Sequence, residues 1–268
     1  SSFKISYLRL LELFTKMHSY SGQTTKIKSN ISFNTSYSFI ELFNHLNRTN
    51  SNKEHIHYIG SKEIMCEEFI PFFIENKTKI IVIVRNPKDI VASINYPQNE
   101  KYLGDKKPTL FILRNWIKSI DFIRKFKSNE SFFYTKYEDL VLNPYKTLNH
   151  ITAFLDIEKY ERDHFEKGIF DRDGRLWKAN TSFDINTSFI SSKSIGSYKN
   201  ILSNEEINYI ESICKRELLF MDYKFDTQPN DYIITNFRDY NVEDSVHIDK
   251  NFSSLKENVE VELKRFNN

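Results

Sequence analysis

Arg85 stands directly after the apolar run Ile80-Ile81-Val82-Ile83-Val84, and Ser93 follows further along the same segment. An arginine at the end of a buried strand can fork two hydrogen bonds to a phosphate, and a serine about two helical turns onward lies on the same side of the helix. The chemistry on offer is anion binding. A plainer arrangement fits the same residue types, with Arg85 paired to a carboxylate such as Asp89 and Ser93 facing a neighbouring helix. A second cluster, Gly60-Ser61-Lys62-Glu63, follows a short apolar stretch. Glu63 can take a proton from a hydroxyl if burial raises its pKa, and Lys62 can offset charge on a migrating group. A solvated Lys-Glu pair at a strand end fits that cluster equally well. The histidines show no metal-ligand spacing, and Cys66 and Cys214 lie too far apart in sequence to suggest a zinc site or a disulfide framework.

These residues need elements to position them. The run from Lys79 to Val84 has no polar face, as befits a central parallel strand covered on both sides, and such strands feed ligand sites from their C-terminal ends. Pro87 suits a first helical turn, so a helix is expected over Asp89–Ile94. A longer one follows Pro108, with Phe111, Ile112, Trp116, Ile120 and Ile123 at helical spacing. Phe132–Thr135 reads as a second strand, Asn143-Pro144 opens another helix through Leu155, and Ser203-Asn204-Glu205-Glu206 resembles a capping box. Upstream, helices are expected over the apolar positions from Ile5 to Met17 and from about Ser36 to Leu46, a strand over His55–Ile59, and helical character over Cys66–Ile74. Strands separated by helices imply parallel crossover units, hence an α/β fold with a central parallel sheet flanked by helices. Phe252, Leu255, Val259, Leu263 and Phe266 form one stripe of a terminal amphipathic helix, able to cover the core or to meet a partner, including a second copy in a homo-oligomer.

The 268 residues suffice for one large α/β domain. Lys plus Arg number 38 against 36 Asp plus Glu, so no whole-protein field draws the chain to nucleic acid or anionic lipid, and any anion site must be local. No apolar run approaches the roughly 18 residues of a transmembrane segment, and the compartment expected is the cytoplasm.

The string from Ile80 through Arg85-Asn86-Pro87-Lys88-Asp89-Ile90-Val91-Ala92-Ser93 resembles the 3′-phosphate-binding motif of the sulfotransferase family. Phe132 to Leu140, with Tyr137-Glu138-Asp139-Leu140, is similar to that family's second strand-and-helix segment. Asn180-Thr181-Ser182-Phe183 and Gly196-Ser197-Tyr198-Lys199-Asn200 resemble its adenine-contacting and C-terminal elements, in the expected order.

The resemblance implies a P-loop-NTPase-like sulfotransferase fold over residues 1–225, followed by a C-terminal extension over 226–268. It implies transfer of a sulfuryl group from 3′-phosphoadenosine 5′-phosphosulfate to a hydroxyl acceptor, releasing adenosine 3′,5′-bisphosphate. It assigns Arg85 and Ser93 to the 3′-phosphate, Tyr137 to the neighbourhood of the adenine, Thr181 and Phe183 to the base, Lys193 to the phosphate in place of the family's Arg-Lys-Gly, and Gly196 to the cofactor turn. Glu63 becomes a candidate base, with Lys62 beside it. A buried tyrosine capping the sheet is the alternative for Tyr137. The acceptor is not specified, and the loop-rich residues 168–198 are expected to shape its pocket.

The chain departs from the family at its start, where no Pro-Lys-Ser-Gly-Asn-Thr-Trp-like loop occurs and no glycine precedes Gly22. The expectation is that the first strand and the 5′-phosphosulfate loop lie upstream of this sequence, with Lys4 and Ser6 as weak substitutes. The alternative is a homologue that binds nucleotide as an accessory domain without chemistry. A P-loop kinase is disfavoured because GxxxxGK[ST] does not occur.

Overall fold

The computed structural model describes residues 60, 62, 66–97, 107–159, 161, 190–239 and 264. Those from Glu67 onward belong to one compact unit, Glu67–Asn268. The helices expected over Ile5–Met17 and Ser36–Leu46, the strand over His55–Ile59 and the terminal apolar stripe lie outside the described residues, Lys264 alone being seen there as helical and exposed.

A 3-10 turn (Glu67–Phe69) and helix α1 (Ile70–Glu75) lead into strand β1 (Ile80–Val84). β1 pairs in parallel with β2 (Phe132–Lys136), in register from Ile80 opposite Phe132 to Val84 opposite Lys136. A parallel pair needs a crossover, and α2 (Pro87–Asn95) and α3 (Thr109–Phe126) lie between the two strands in sequence. α4 (Tyr137–Leu142) and α5 (Pro144–Leu155) follow β2, and beyond them come a 3-10 turn (Ser197–Asn200), α6 (Asn204–Ile213), α7 (Lys215–Phe220) and α8 (Asp231–Asn236). The parallel pair separated by helices is the arrangement that the alternating apolar runs predict. Among the described residues no helix is long and apolar enough to cross a membrane.

Local chemistry explains the helix starts near the strand end. The Asn86 side chain accepts from the Lys88 amide at 3.0 Å and Pro87 fills the first turn, so α2 begins at once beyond Arg85. Ser203 Oγ accepts from the Glu206 amide at 3.1 Å, as the capping-box reading requires, while the Glu206 carboxylate accepts from Tyr96 Oη at 3.0 Å. Burial and the neighbouring Glu206 push the Tyr96 phenol pKa up. At α3, where Pro108 has no side chain to cap with, the Asp239 carboxylate takes the amides of Thr109 and Leu110 at 2.8 and 2.9 Å.

The core lies between α3, α6 and the inner face of the strand pair. Leu110, Leu113, Trp116, Ile120 and Ile123 form the buried face of α3, and Val91, Ala92, Ile207, Ile210 and Leu218 meet it. Phe111, expected on that face, is only half-buried: the stripe runs through Leu110 and Leu113, which place Phe111 at its margin. The expected two-sided cover of β1 is also incomplete. Ile80, Val82 and Val84 pack into the core, whereas Ile83 is 52% exposed. Successive strand side chains point to opposite faces. On the outer face Phe133 stacks on Phe154 of α5 with ring centroids 5.5 Å apart, and this cover leaves Ile83 open. Cys214 is buried and its thiol pKa is pushed up by burial; Cys66 is half-buried, and the two form no disulfide.

Candidate active site

Arg85 leaves the end of β1 and is held from three directions. Its backbone carbonyl accepts from Trp116 Nε1 at 2.9 Å, its Nη2 donates to the Ser194 carbonyl at 2.5 Å, and its guanidinium lies over the Tyr137 ring, 4.9 Å from the centroid. Tyr137 Oη and Ser194 Oγ share a hydrogen bond of 3.0 Å. Arg85, Tyr137 and Ser194, from three distant stretches of sequence, therefore form one cluster at the strand ends. Arg85 Nε is buried with no hydrogen-bond partner among the described residues. Buried polar atoms are ordinarily satisfied, so an orphaned guanidinium nitrogen calls for a physical reason.

The plainer reading of Arg85, an ion pair with Asp89, is not what the fold contains. Asp89 is 1% exposed and its carboxylate faces the turn after residue 194, accepting from the Gly196 amide at 2.8 Å, the Tyr198 amide at 3.1 Å and Ser197 Oγ at 3.2 Å. Ser93 is half-buried on α2 and has no hydrogen-bond partner among the described residues. Gly196 has φ +73°, a left-handed backbone that a side chain resists, although nothing lies within 4 Å of where a Cβ would stand. Lys193 is exposed, one position before Ser194, and Lys62 is exposed. Glu63, Thr181 and Phe183 lie outside the described residues.

Motifs far apart in sequence are hydrogen-bonded to one another here. Glu138, next to Tyr137, accepts the Asn86 amide at 2.9 Å through one oxygen and Tyr223 Oη at 2.9 Å through the other. Burial first, and the Glu138 charge second, push the Tyr223 phenol well above its ordinary pKa, so it stays a donor. Beneath the site, Lys88 is fully buried. Its Nζ donates to Glu211 Oε1 at 2.6 Å, Asp226 Oδ2 at 2.5 Å and the Lys224 carbonyl at 3.1 Å, and lies over the Tyr198 ring at 4.7 Å. Glu211, equally buried, also accepts from the amides of Asp226 and Thr227 and from Thr227 Oγ1. Tyr198 Oη donates to Asp226 at 2.5 Å, and burial followed by this bond pushes its phenol pKa up.

Sequence reasoning missed Trp116, Glu138, Ser194 and the Lys88 network as parts of the site. Glu138 stands within the Tyr137-Glu138-Asp139-Leu140 segment. Trp116 read as core, which it also is, and only its indole N–H signalled a polar partner.

Burial alone would raise the Asp226 carboxyl, but hydrogen bonds from Lys88, Tyr198 and Lys199 outweigh it and hold the pKa below the ordinary 3.8. A carboxylate depressed in the folded state adds stability that is present above its unfolded pKa and is lost as pH falls through the folded one. Lowering pH from about 5 towards about 2 is therefore expected to reduce the thermal midpoint more in the natural protein than in Asp226→Asn, as followed by circular dichroism melts.

Residues 8–222 match the family described as Sulfotransferase domain. The chain belongs to the sulfotransferase family. Its α/β fold and its transferase class follow from that membership, and the match spans the Arg85, Tyr137 and Gly196 segments together. Among solved structures, the chain is similar to the sulfotransferase domain from the curacin biosynthetic pathway, at 16% identity and TM-score 0.46, covering 82% of this chain and 75% of that one. It is also similar to mouse sulfotransferase SULT7A1 complexed with PAP, at 17% identity and TM-score 0.38, covering 61% of this chain and 64% of that one. Among curated proteins, none matches the sulfotransferase chain in sequence.

Proposed function

We propose that this sulfotransferase moves a sulfuryl group from 3′-phosphoadenosine 5′-phosphosulfate to a hydroxyl acceptor, with Arg85 and Ser93 holding the 3′-phosphate. The observation that carries the proposal is the state of Arg85: among the described residues its buried Nε has no partner, and its side-chain neighbours are a carbonyl and a phenol ring rather than a carboxylate. A guanidinium nitrogen shut off from water without an acceptor is costly. A phosphate oxygen is the kind of acceptor that completes it, in the fork geometry arginine favours. Ser93, with its hydroxyl uncommitted among the described residues, supplies a second donor.

In this reading Tyr137 lies against the adenine together with Thr181 and Phe183. Lys193 adds a point charge at the phosphate, and Gly196 gives the turn its left-handed backbone. The bound donor supplies the activated sulfuryl group. Glu63 takes the proton from the acceptor hydroxyl, and Lys62 offsets charge that develops during transfer.

The test is incubation of the full chain with radiolabelled donor and hydroxyl acceptors of several classes: a sugar, a small alcohol, a lipid alcohol and a tyrosine peptide. Label is expected on at least one of them. Nucleotide binding without transfer to any class would contradict the catalytic reading and leave a binding domain.

A further inference from the structure

The turn at residues 194–198 joins the cluster through Ser194. It makes two contacts that matter to Arg85, the Ser194 carbonyl on the guanidinium and Ser194 Oγ on Tyr137. The first residue of the following 3-10 turn, Ser197, returns its Oγ to the Ser194 carbonyl at 3.2 Å as well as to Asp89 at 3.2 Å, so its single proton serves one or the other. Gly196 is in a left-handed conformation. What anchors this turn to α2, the helix that begins right after Arg85, is the buried Asp89 carboxylate. One oxygen accepts the Gly196 amide; the other accepts the Tyr198 amide and Ser197 Oγ.

We propose that Asp89 is a positioning residue for the nucleotide's 3′-phosphate: by holding the Gly196–Tyr198 turn on α2 it places Ser194 against Arg85 and Tyr137, and so fixes the direction of the guanidinium. The proposal rests on reading Arg85 as the phosphate anchor. Asp89 itself touches no ligand in this scheme. An acidic side chain at the edge of an anion site is otherwise unfavourable by charge, and its presence there is accounted for by the donors that converge on it. A carboxylate can accept at both oxygens, whereas an asparagine must turn its NH2 towards at least one N–H or O–H donor.

The decisive comparison is selectivity. A purely structural loss lowers affinity for every nucleotide in proportion to the folded fraction, whereas a misplaced Arg85 penalises only the ligand that carries a 3′-phosphate. The full chain and Asp89→Asn are titrated calorimetrically with adenosine 3′,5′-bisphosphate and with adenosine 5′-monophosphate. Asp89→Asn is expected to lose about tenfold or more in affinity for the bisphosphate, in keeping with hydrogen bonds to a charged group, and less than about twofold for the monophosphate. Ser197→Ala keeps both amide bonds to Asp89 and removes only the hydroxyl, with its links to Asp89 and to the Ser194 carbonyl. It is expected to lose about two- to fivefold for the bisphosphate only, and it carries the test if Asp89→Asn does not fold. An unchanged ratio of the two affinities in both variants, or in Ser197→Ala alone if it is the folded one, overturns the proposal while leaving the site reading intact. A natural protein that binds neither nucleotide overturns the site reading itself, and the proposal with it.

Discussion

Replacing Arg85 with alanine is expected to lower affinity for adenosine 3′,5′-bisphosphate by at least about 100-fold, on the scale of two charge-assisted hydrogen bonds at roughly 1.5–3 kcal/mol each. The fold should survive the change. Trp116 bonds to the Arg85 backbone carbonyl, which alanine keeps, and the side chain's own contacts are a carbonyl and a ring face, neither of which becomes a buried orphaned charge. A calorimetric titration paired with a thermal melt separates the two effects: binding lost with the midpoint nearly unchanged is the expected result. Arg85→Lys should recover only part of the loss, because an ammonium is a point charge that cannot fork.

The second large effect is on stability. Lys88→Met is expected to destabilise the protein by about 3–5 kcal/mol, measured by denaturant unfolding, because it leaves the fully buried Glu211 without its cation. Removing Glu211 as well should not restore the loss. The amides of Asp226 and Thr227 and the Thr227 hydroxyl all donate to that carboxylate and would be left unsatisfied. Lys199, whose side chain is mostly exposed while it pairs with Asp226 at 2.9 Å, is the internal control: Lys199→Met should cost no more than about 1 kcal/mol. Both lysines meet the same aspartate, but only Lys88 is buried and also neutralises Glu211.

The frame of the site was legible in the sequence because it rests on local patterns. A β-branched run ending in Arg85, a proline two positions on and a strand beginning at Phe132 are signals within a few residues of what they specify, and the structure places the elements there. The capping of α6 by Ser203 is equally local. The connections that complete the site are not. Asp89 meets its partners 107 to 109 positions away, Glu138 meets Asn86 across 52, and Lys88 meets Glu211 across 123. Nothing in the spacing of charged residues on an amphipathic helix distinguishes a solvated lysine from a buried one, so Lys88 read as part of a motif and not as a cation shut inside the protein. α8 was missed for a related reason: Asp231–Asn236 has only Ile233 buried, too little for an apolar stripe, and is started by the Asn230 side chain on the Ile233 amide. Ser194 carried no sequence signal at all. Its importance comes from the turn that the Asp89 carboxylate holds.

Recognition of a 3′-phosphorylated adenine nucleotide is the central property of the proposed site. Titrating the natural sequence with adenosine 3′,5′-bisphosphate should give a saturable, one-to-one isotherm with a dissociation constant of roughly micromolar order. It should also weaken as salt screens the contact between Arg85 and the phosphate. The absence of saturable binding at millimolar-order nucleotide, with the protein shown to be folded, would contradict it: the orphaned Arg85 nitrogen would then be a feature of the fold rather than half of a binding site.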